Sequence, residues 1–140
     1  MATRLTPYVS FKGQAREAMD FYQSVFGGEV TSNTFADFGA AGEDYAEQIM
    51  HAQLDTPAGF VLMASDTPPF MDYTPGRTVT MILHGEDEAE IRGYWDKLVE
   101  EGSIDTALEP QMWGDIYGQC TDKYGIEWMV NISGANPATS

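Results

Sequence analysis

Gln53-Leu-Asp-Thr-Pro-Ala-Gly59-Phe-Val-Leu-Met63 and Gln119-Cys-Thr-Asp-Lys-Tyr-Gly125-Ile-Glu-Trp-Met129 share one frame: a glutamine, a glycine six residues on, and a methionine four after that. Each reads as a β-hairpin, because a short turn of Thr, Asp and Gly interrupts a run suited to extended backbone. Upstream of each, the same signals return in the same order. They are Phe11, Gly13, Phe21-Tyr22 and Gly28 before the first hairpin, and Leu83, Gly85, Tyr94-Trp95 and Gly102 before the second. The spacing predicts two copies of one unit, so that residues far apart in the chain are structural equivalents.

Within each copy the periodicity supplies the elements. Ala15, Ala18, Met19, Tyr22, Val25 and Phe26 form one apolar stripe at helical spacing over 14–26, and Gly27-Gly28 ends it. Ile91, Tyr94, Trp95 and Leu98 do the same over 87–101, with Asp87, Glu88 and Glu90 favourably placed in the first turn and Gly102 beyond the end. Strand-like runs precede the helices at 7–12 and 77–84. Three more follow each helix, at 29–36, 47–55 and 60–66, then at 104–109, 115–121 and 126–132. The Gly-rich, acidic stretch 37–44 has no counterpart in the second copy and reads as a mobile loop. Pro68-Pro69 and Pro75-Gly76 frame the linker, and 133–140 reads as a frayed tail.

Length and charge narrow the function. A chain of 140 residues fits one compact domain whose halves, near 5–66 and 77–132, share a core. No apolar run approaches the ~18 residues that cross a bilayer, and the amino terminus lacks the apolar stretch of a secretory signal, so a cytoplasmic location is expected. With 22 acidic against 7 basic residues the net charge is −15, which repels phosphate backbones and anionic lipid. Nucleic-acid and membrane partners are not expected. The lone Cys120 cannot form an internal disulfide and reads as a small buried residue.

At Phe11-Lys-Gly13, Ala18-Met-Asp-Phe-Tyr22, Phe26-Gly-Gly-Glu29, Met63-Ala-Ser-Asp66, Trp113-Gly114, Tyr117-Gly118 and Asp122-Lys-Tyr-Gly-Ile-Glu-Trp128 the chain resembles the PhnB-like family of the vicinal oxygen chelate superfamily. That superfamily includes glyoxalase I, extradiol dioxygenases and bleomycin-resistance proteins. The resemblance implies an α+β fold of two βαβββ repeats, a cupped mixed sheet around a cavity, and a homodimer that can exchange elements between subunits.

Pairing the first hairpin about Pro57 sets Gln53 opposite Val61 and His51 opposite Met63. One face then carries Ile49, His51, Gln53, Val61, Met63 and Ser65, and the apolar other face, with Met50, Ala52, Leu54, Phe60, Leu62 and Ala64, belongs under the helix. In the second hairpin Tyr117, Gln119, Glu127, Met129 and Asn131 take the cavity side, while Gly118, Cys120, Ile126, Trp128 and Val130 go under the helix. A slip of one residue would reverse every assignment.

By resemblance, the metal-ligand positions of the superfamily fall on Pro7, Met63, Val79 and Met129. Pro and Val offer no donor, and a thioether suits Zn, Ni, Mn or Fe poorly. Shifting the first strands by one residue gives Tyr8 with Thr78 or Thr80, which repairs little. No metal or other cofactor is expected. His51 is a candidate general base and Glu127 a candidate acid, set against plain hydrogen-bonding roles. Asp66 reads as a loop-fixing residue and His84 as exposed. Trp113, in an irregular run, suits either a cavity rim or a subunit contact.

The reading that best suits these residues is a metal-free protein binding a small organic compound, cationic or amphipathic, through His51, Gln53, Met63, Trp113, Tyr117, Gln119, Glu127 and Met129. No catalytic residue is assigned. The alternative is a metal-dependent lyase, isomerase or dioxygenase; a third is a structural partner whose cavity its own methionines fill. A methyltransferase is not expected, since no glycine-rich loop follows a strand to cradle a nucleotide-type methyl donor.

Overall fold

The computed structural model describes residues 3–76 and 78–134 and divides into two compact units, 1–75 and 76–140. In the first unit, β1 (Tyr8–Phe11) leads into α1 (Ala15–Phe26), then β2 (Glu29–Thr34), β3 (Ile49–Asp55) and β4 (Val61–Asp66). The second repeats that order with β5 (Met81–Gly85), α2 (Glu88–Leu98), β6 (Ser103–Pro110), β7 (Ile116–Thr121) and β8 (Glu127–Ile132). The sheets run β1-β4-β3-β2 and β5-β8-β7-β6. In each, the first strand lies parallel to the last and the other neighbours are antiparallel. The α+β fold of two βαβββ repeats is thus present. No helix among the described residues is long and apolar enough to cross a membrane.

Each helix covers one face of its own sheet. The predicted stripe of α1, from Ala15 to Phe26, is buried in full, and on the sheet so are Ala52, Leu54, Leu62 and Ala64. On α2, Ile91, Trp95 and Leu98 are buried, whereas Tyr94, expected in that stripe, stays partly exposed. Cys120, Trp128 and Val130 complete the second covered face. The helices start differently. Asp87 caps α2 by accepting from Glu90 N–H at 3.0 Å. Gln14 gives α1 no side-chain cap; instead Asp66, at the end of β4 and 3% exposed, accepts from Ala15 N–H and Ile49 N–H, both at 2.9 Å. Asp66 therefore fixes the start of α1 against the start of β3, a loop-fixing role reached across 51 residues.

Several expectations need correction. Gln53 pairs with Met63, not Val61, so the first hairpin is centred one residue later than Pro57. The resulting shift of two residues preserves the faces, because side chains alternate with period two. Ile49 does change sides. The β2–β3 register shifts between Asn33 and Thr34, a bulge that turns Ile49 toward the helix, where it is 1% exposed. β5 begins at Met81 and α2 ends at Leu98, both shorter than expected; Arg77, in the expected strand, lies outside the described residues. Beside the stretch 37–44, Phe35 and Ala36 donate to the Gln48 and Ala46 carbonyls at 3.1 and 2.9 Å, and a 3-10 turn spans Ala36–Phe38. In the expected tail, Ser133 N–H is held by the Gly85 carbonyl at 2.8 Å, and 135–140 fall outside the described residues.

Candidate functional site

Apart from Trp113, the residues singled out as ligand contacts lie on strands, in the sets that alternate with the helix-covered residues. Strand register places them in rows. Across the first sheet, Tyr8, Met63, Gln53 and Thr31 stand side by side on β1, β4, β3 and β2. Across the second, Ile82, Met129, Gln119 and Thr106 occupy the matching places on β5, β8, β7 and β6. Three of four positions are the same residue type, and the fourth, on the first strand, differs. Each row sets a polarizable thioether beside a primary amide and a hydroxyl, a surface that both packs and hydrogen-bonds.

The neighbouring positions diverge. His51 lies opposite Asn33, and its Nδ1 is 3.4 Å from the Tyr8 hydroxyl, with the rings tilted at 37°. A donating phenol there would leave the imidazole proton on Nε2. Gln53 Nε2 donates to the Asp55 carboxylate at 3.1 and 3.2 Å. In the second sheet Tyr117 stands between Asn131 and Glu109, and Asn131 Nδ2 donates to Asp115 at 3.1 Å. Glu127 pairs with Thr121 near the hairpin turn and is only 9% exposed. Trp113 belongs to the β6–β7 turn, which closes through Gln111 N–H to the Asp115 carbonyl at 2.8 Å, and its ring meets Tyr117 at 6.1 Å.

Strand register shows which first-strand residues stand beside Met63 and Met129. Phe11 is registered with Asp66 and Gly85 with Ile132, so Phe11 corresponds to Gly85 and the two first strands match two residues away from the motif alignment. Tyr8 faces Met63, and Ile82 faces Met129. Pro7 precedes β1 and uses its carbonyl to accept from Met63 N–H at 3.0 Å; Val79 precedes β5 and is 84% exposed. A phenol beside a thioether in the first unit, and an alkyl chain beside a thioether in the second, are each poor partners for a Zn, Ni, Mn or Fe ion. Among the described residues, no group of three or more His, Cys, Asp and Glu is arranged to hold a metal ion.

A feature that sequence reasoning missed lies on the other side of the first sheet. An open cleft of about 430 Å³ runs between the start of α1 and β3, lined by Gly13, Arg16, Glu17, Asp20, Glu47, Gln48, Ile49 and Asp66. Its floor depends on the Ile49 reversal and on the long-range Asp66 cap, neither of which leaves a local signal in the chain.

The model of the 3-demethylubiquinone-9 3-methyltransferase family matches residues 3–131. The chain belongs to that family. It is 27% identical over 145 residues to protein YjdN of Escherichia coli, covering 95% of this chain and 97% of that one. Protein PA1353 of Pseudomonas aeruginosa superposes with a TM-score of 0.78 at 34% identity, over 94% of this chain and 98% of its own. A Bacillus cereus PhnB protein, described as a putative 3-demethylubiquinone-9 3-methyltransferase, gives 0.74 at 26% identity, over 94% and 100%. A glyoxylase/bleomycin resistance protein/dioxygenase domain from Frankia gives 0.66 at 8% identity over 94% and 98%, which shows the shared fold. The likeness to a PhnB protein agrees with the motifs of the chain, and the fold is the one seen in a glyoxylase/bleomycin resistance protein/dioxygenase domain.

Proposed function

We propose that this PhnB-like protein binds a small organic compound on the open face of a sheet in either unit and holds it without a metal. The observation that supports this is the recurring row of methionine, glutamine and threonine, Met63-Gln53-Thr31 and Met129-Gln119-Thr106, which offers packing and hydrogen bonds in place of ion ligands. Methyl transfer is left out of the reading, since β1 passes to α1 through Lys12-Gly13-Gln14, too few glycines to cradle a nucleotide-type methyl donor. A homodimer, with or without exchanged elements, is part of the same proposal. Sedimentation of the purified protein reads it directly.

Native mass spectrometry of the protein as expressed, followed by thermal-shift screening with amphipathic and cationic compounds, identifies the ligand. Removing one amide by Gln53→Ala or Gln119→Ala is expected to weaken its binding by roughly 2–10-fold, the worth of a neutral hydrogen bond. Glu127→Gln should change binding little, because that residue is only 9% exposed, beside the hairpin turn. Ligands that bind the double glutamine variant as tightly as the parent would remove the open faces from the account.

One contact favours a second reading. The Tyr8 hydroxyl and His51 Nδ1 lie 3.4 Å apart, a pair that would have to close by a few tenths of an ångström to pass a proton. If the protein is instead a metal-dependent enzyme, elemental analysis of the protein as isolated will show one equivalent of a transition metal, lost on His51→Ala.

A further inference from the structure

Resting on the ligand-binding reading above, we propose that the corner formed by Trp113, Tyr117 and Glu109 is a recognition site for a quaternary or methylated ammonium group. The Trp113 and Tyr117 rings stand 6.1 Å apart at 61°, an edge-on pair, and Trp113 is 56% exposed. Glu109 lies directly across the strand pair from Tyr117, on the same face. Aromatic faces attract a cation through their quadrupoles, and a methylated ammonium, being weakly hydrated, gives up little to enter such a corner. A carboxylate at its edge adds charge complementarity.

The other groups nearby have their own partners or belong elsewhere. Asp115 accepts from Asn131 and from Gly134 N–H, at 3.1 and 3.3 Å, so Glu109 is the carboxylate left to meet a ligand. The described basic residues of this unit sit away from the corner: Arg92 pairs with Glu88 on α2, Lys97 lies in the last turn of that helix, and Lys123 pairs with Glu101. A cation filling the corner must therefore come from outside this unit's described side chains. The hairpin supports the geometry, since Gly114, at φ 101°, makes the turn that sets Trp113 back against β7.

The test uses the full chain with choline, and with its neutral isostere in which a quaternary carbon replaces nitrogen. Binding is followed at the Trp113 indole N–H by two-dimensional NMR; Trp95 and Trp128 are buried and serve as internal references. Choline is expected to shift the Trp113 signal, with the isostere binding at least about fivefold more weakly. Trp113→Leu should abolish that preference without changing the melting temperature, and Glu109→Gln should weaken choline alone. Equal binding of choline and isostere would overturn the proposal by reducing the corner to an apolar contact. Absence of any choline-induced shift at Trp113 would overturn it as well. If other ligands still bind the Gln53 and Gln119 rows in that case, the reading of the open faces survives and only the ammonium site fails; if no compound binds those rows, both fail.

Discussion

Gly118 shows how one missing side chain sets the packing of the second unit. A Cβ built there would lie 2.9 Å from Leu108 Cα and 3.0 Å from the far edge of the Trp95 ring, both closer than packed carbon atoms tolerate. The glycine is thus the gap that lets α2 lay its tryptophan on β7. Gly118→Ala forces the ring or the β6 backbone outward and is expected to cost about 1–3 kcal/mol, read as a lower urea midpoint; an unchanged midpoint would mean that the ring relaxes freely. Two positions on, Cys120 is fully buried, and burial, followed by the charges of Asp122 and Asp105, pushes its thiol up from 9.0 to about 12. The native thiol stays protonated and unreactive, so iodoacetamide at pH 8 should label the protein only after denaturation. Since the folded value lies above the unfolded one, the stabilising contribution is complete below about pH 8.5 and is lost as pH rises toward 12. Cys120→Ser should flatten that part of the alkaline stability curve.

The helix-to-strand turns show what the sequence displayed and what it concealed. Gly28 and Gly102 were legible as equivalents, and the reason is physical: a Cβ at either would collide with a hairpin backbone, the Asp55 carbonyl in one unit and the Thr121 carbonyl in the other. Helical stripes and alternating strands were legible for the same kind of reason, because burial on one face stamps a period on the chain. Register was not. The slip of the first hairpin, the bulge that reverses Ile49 and the match of Phe11 with Gly85 depend on how strands meet, and a shift of two residues leaves the alternating pattern unaltered. Of the candidate site, the face of each strand residue could therefore be read, while the side-by-side rows and the Trp113–Tyr117 corner could not. One conformational detail also differs between the repeats: Gly27 has φ 76°, but in the second turn the left-handed residue is Glu101, at φ 59°. An L-residue pays roughly 1–2 kcal/mol for that conformation. Glu101→Gly should thus be more stable than Glu101→Ala by about 1 kcal/mol, as both variants equally lose the 3.3 Å contact with Lys123. Equal melting curves for the two would show that the turn relaxes without strain.

At the scale of the whole molecule, charge is the dominant property. Net charge is −15, and the ion pairs Arg92–Glu88 and Lys123–Glu101 are solvent-exposed contacts that contribute ~0–1 kcal/mol each. Screening therefore removes more repulsion than attraction. At 0.01 M salt the screening length is about 30 Å, long enough for most carboxylates in a chain of this size to repel one another, and near 1 M it falls to about 3 Å. The unfolded chain spreads the same charges over a larger volume, so repulsion falls mainly on the folded state. Raising NaCl from about 0.01 M to 0.5 M should accordingly increase the melting temperature, by roughly 2–4 °C for each kcal/mol of repulsion removed. Chloride is the appropriate anion, because sulfate also strengthens apolar burial by exclusion from the surface and would mix two effects. A melting temperature that is flat or falling across this range would mean that attractive pairs balance the excess of carboxylates, and that the acidity of the chain serves its surroundings at no cost to its fold.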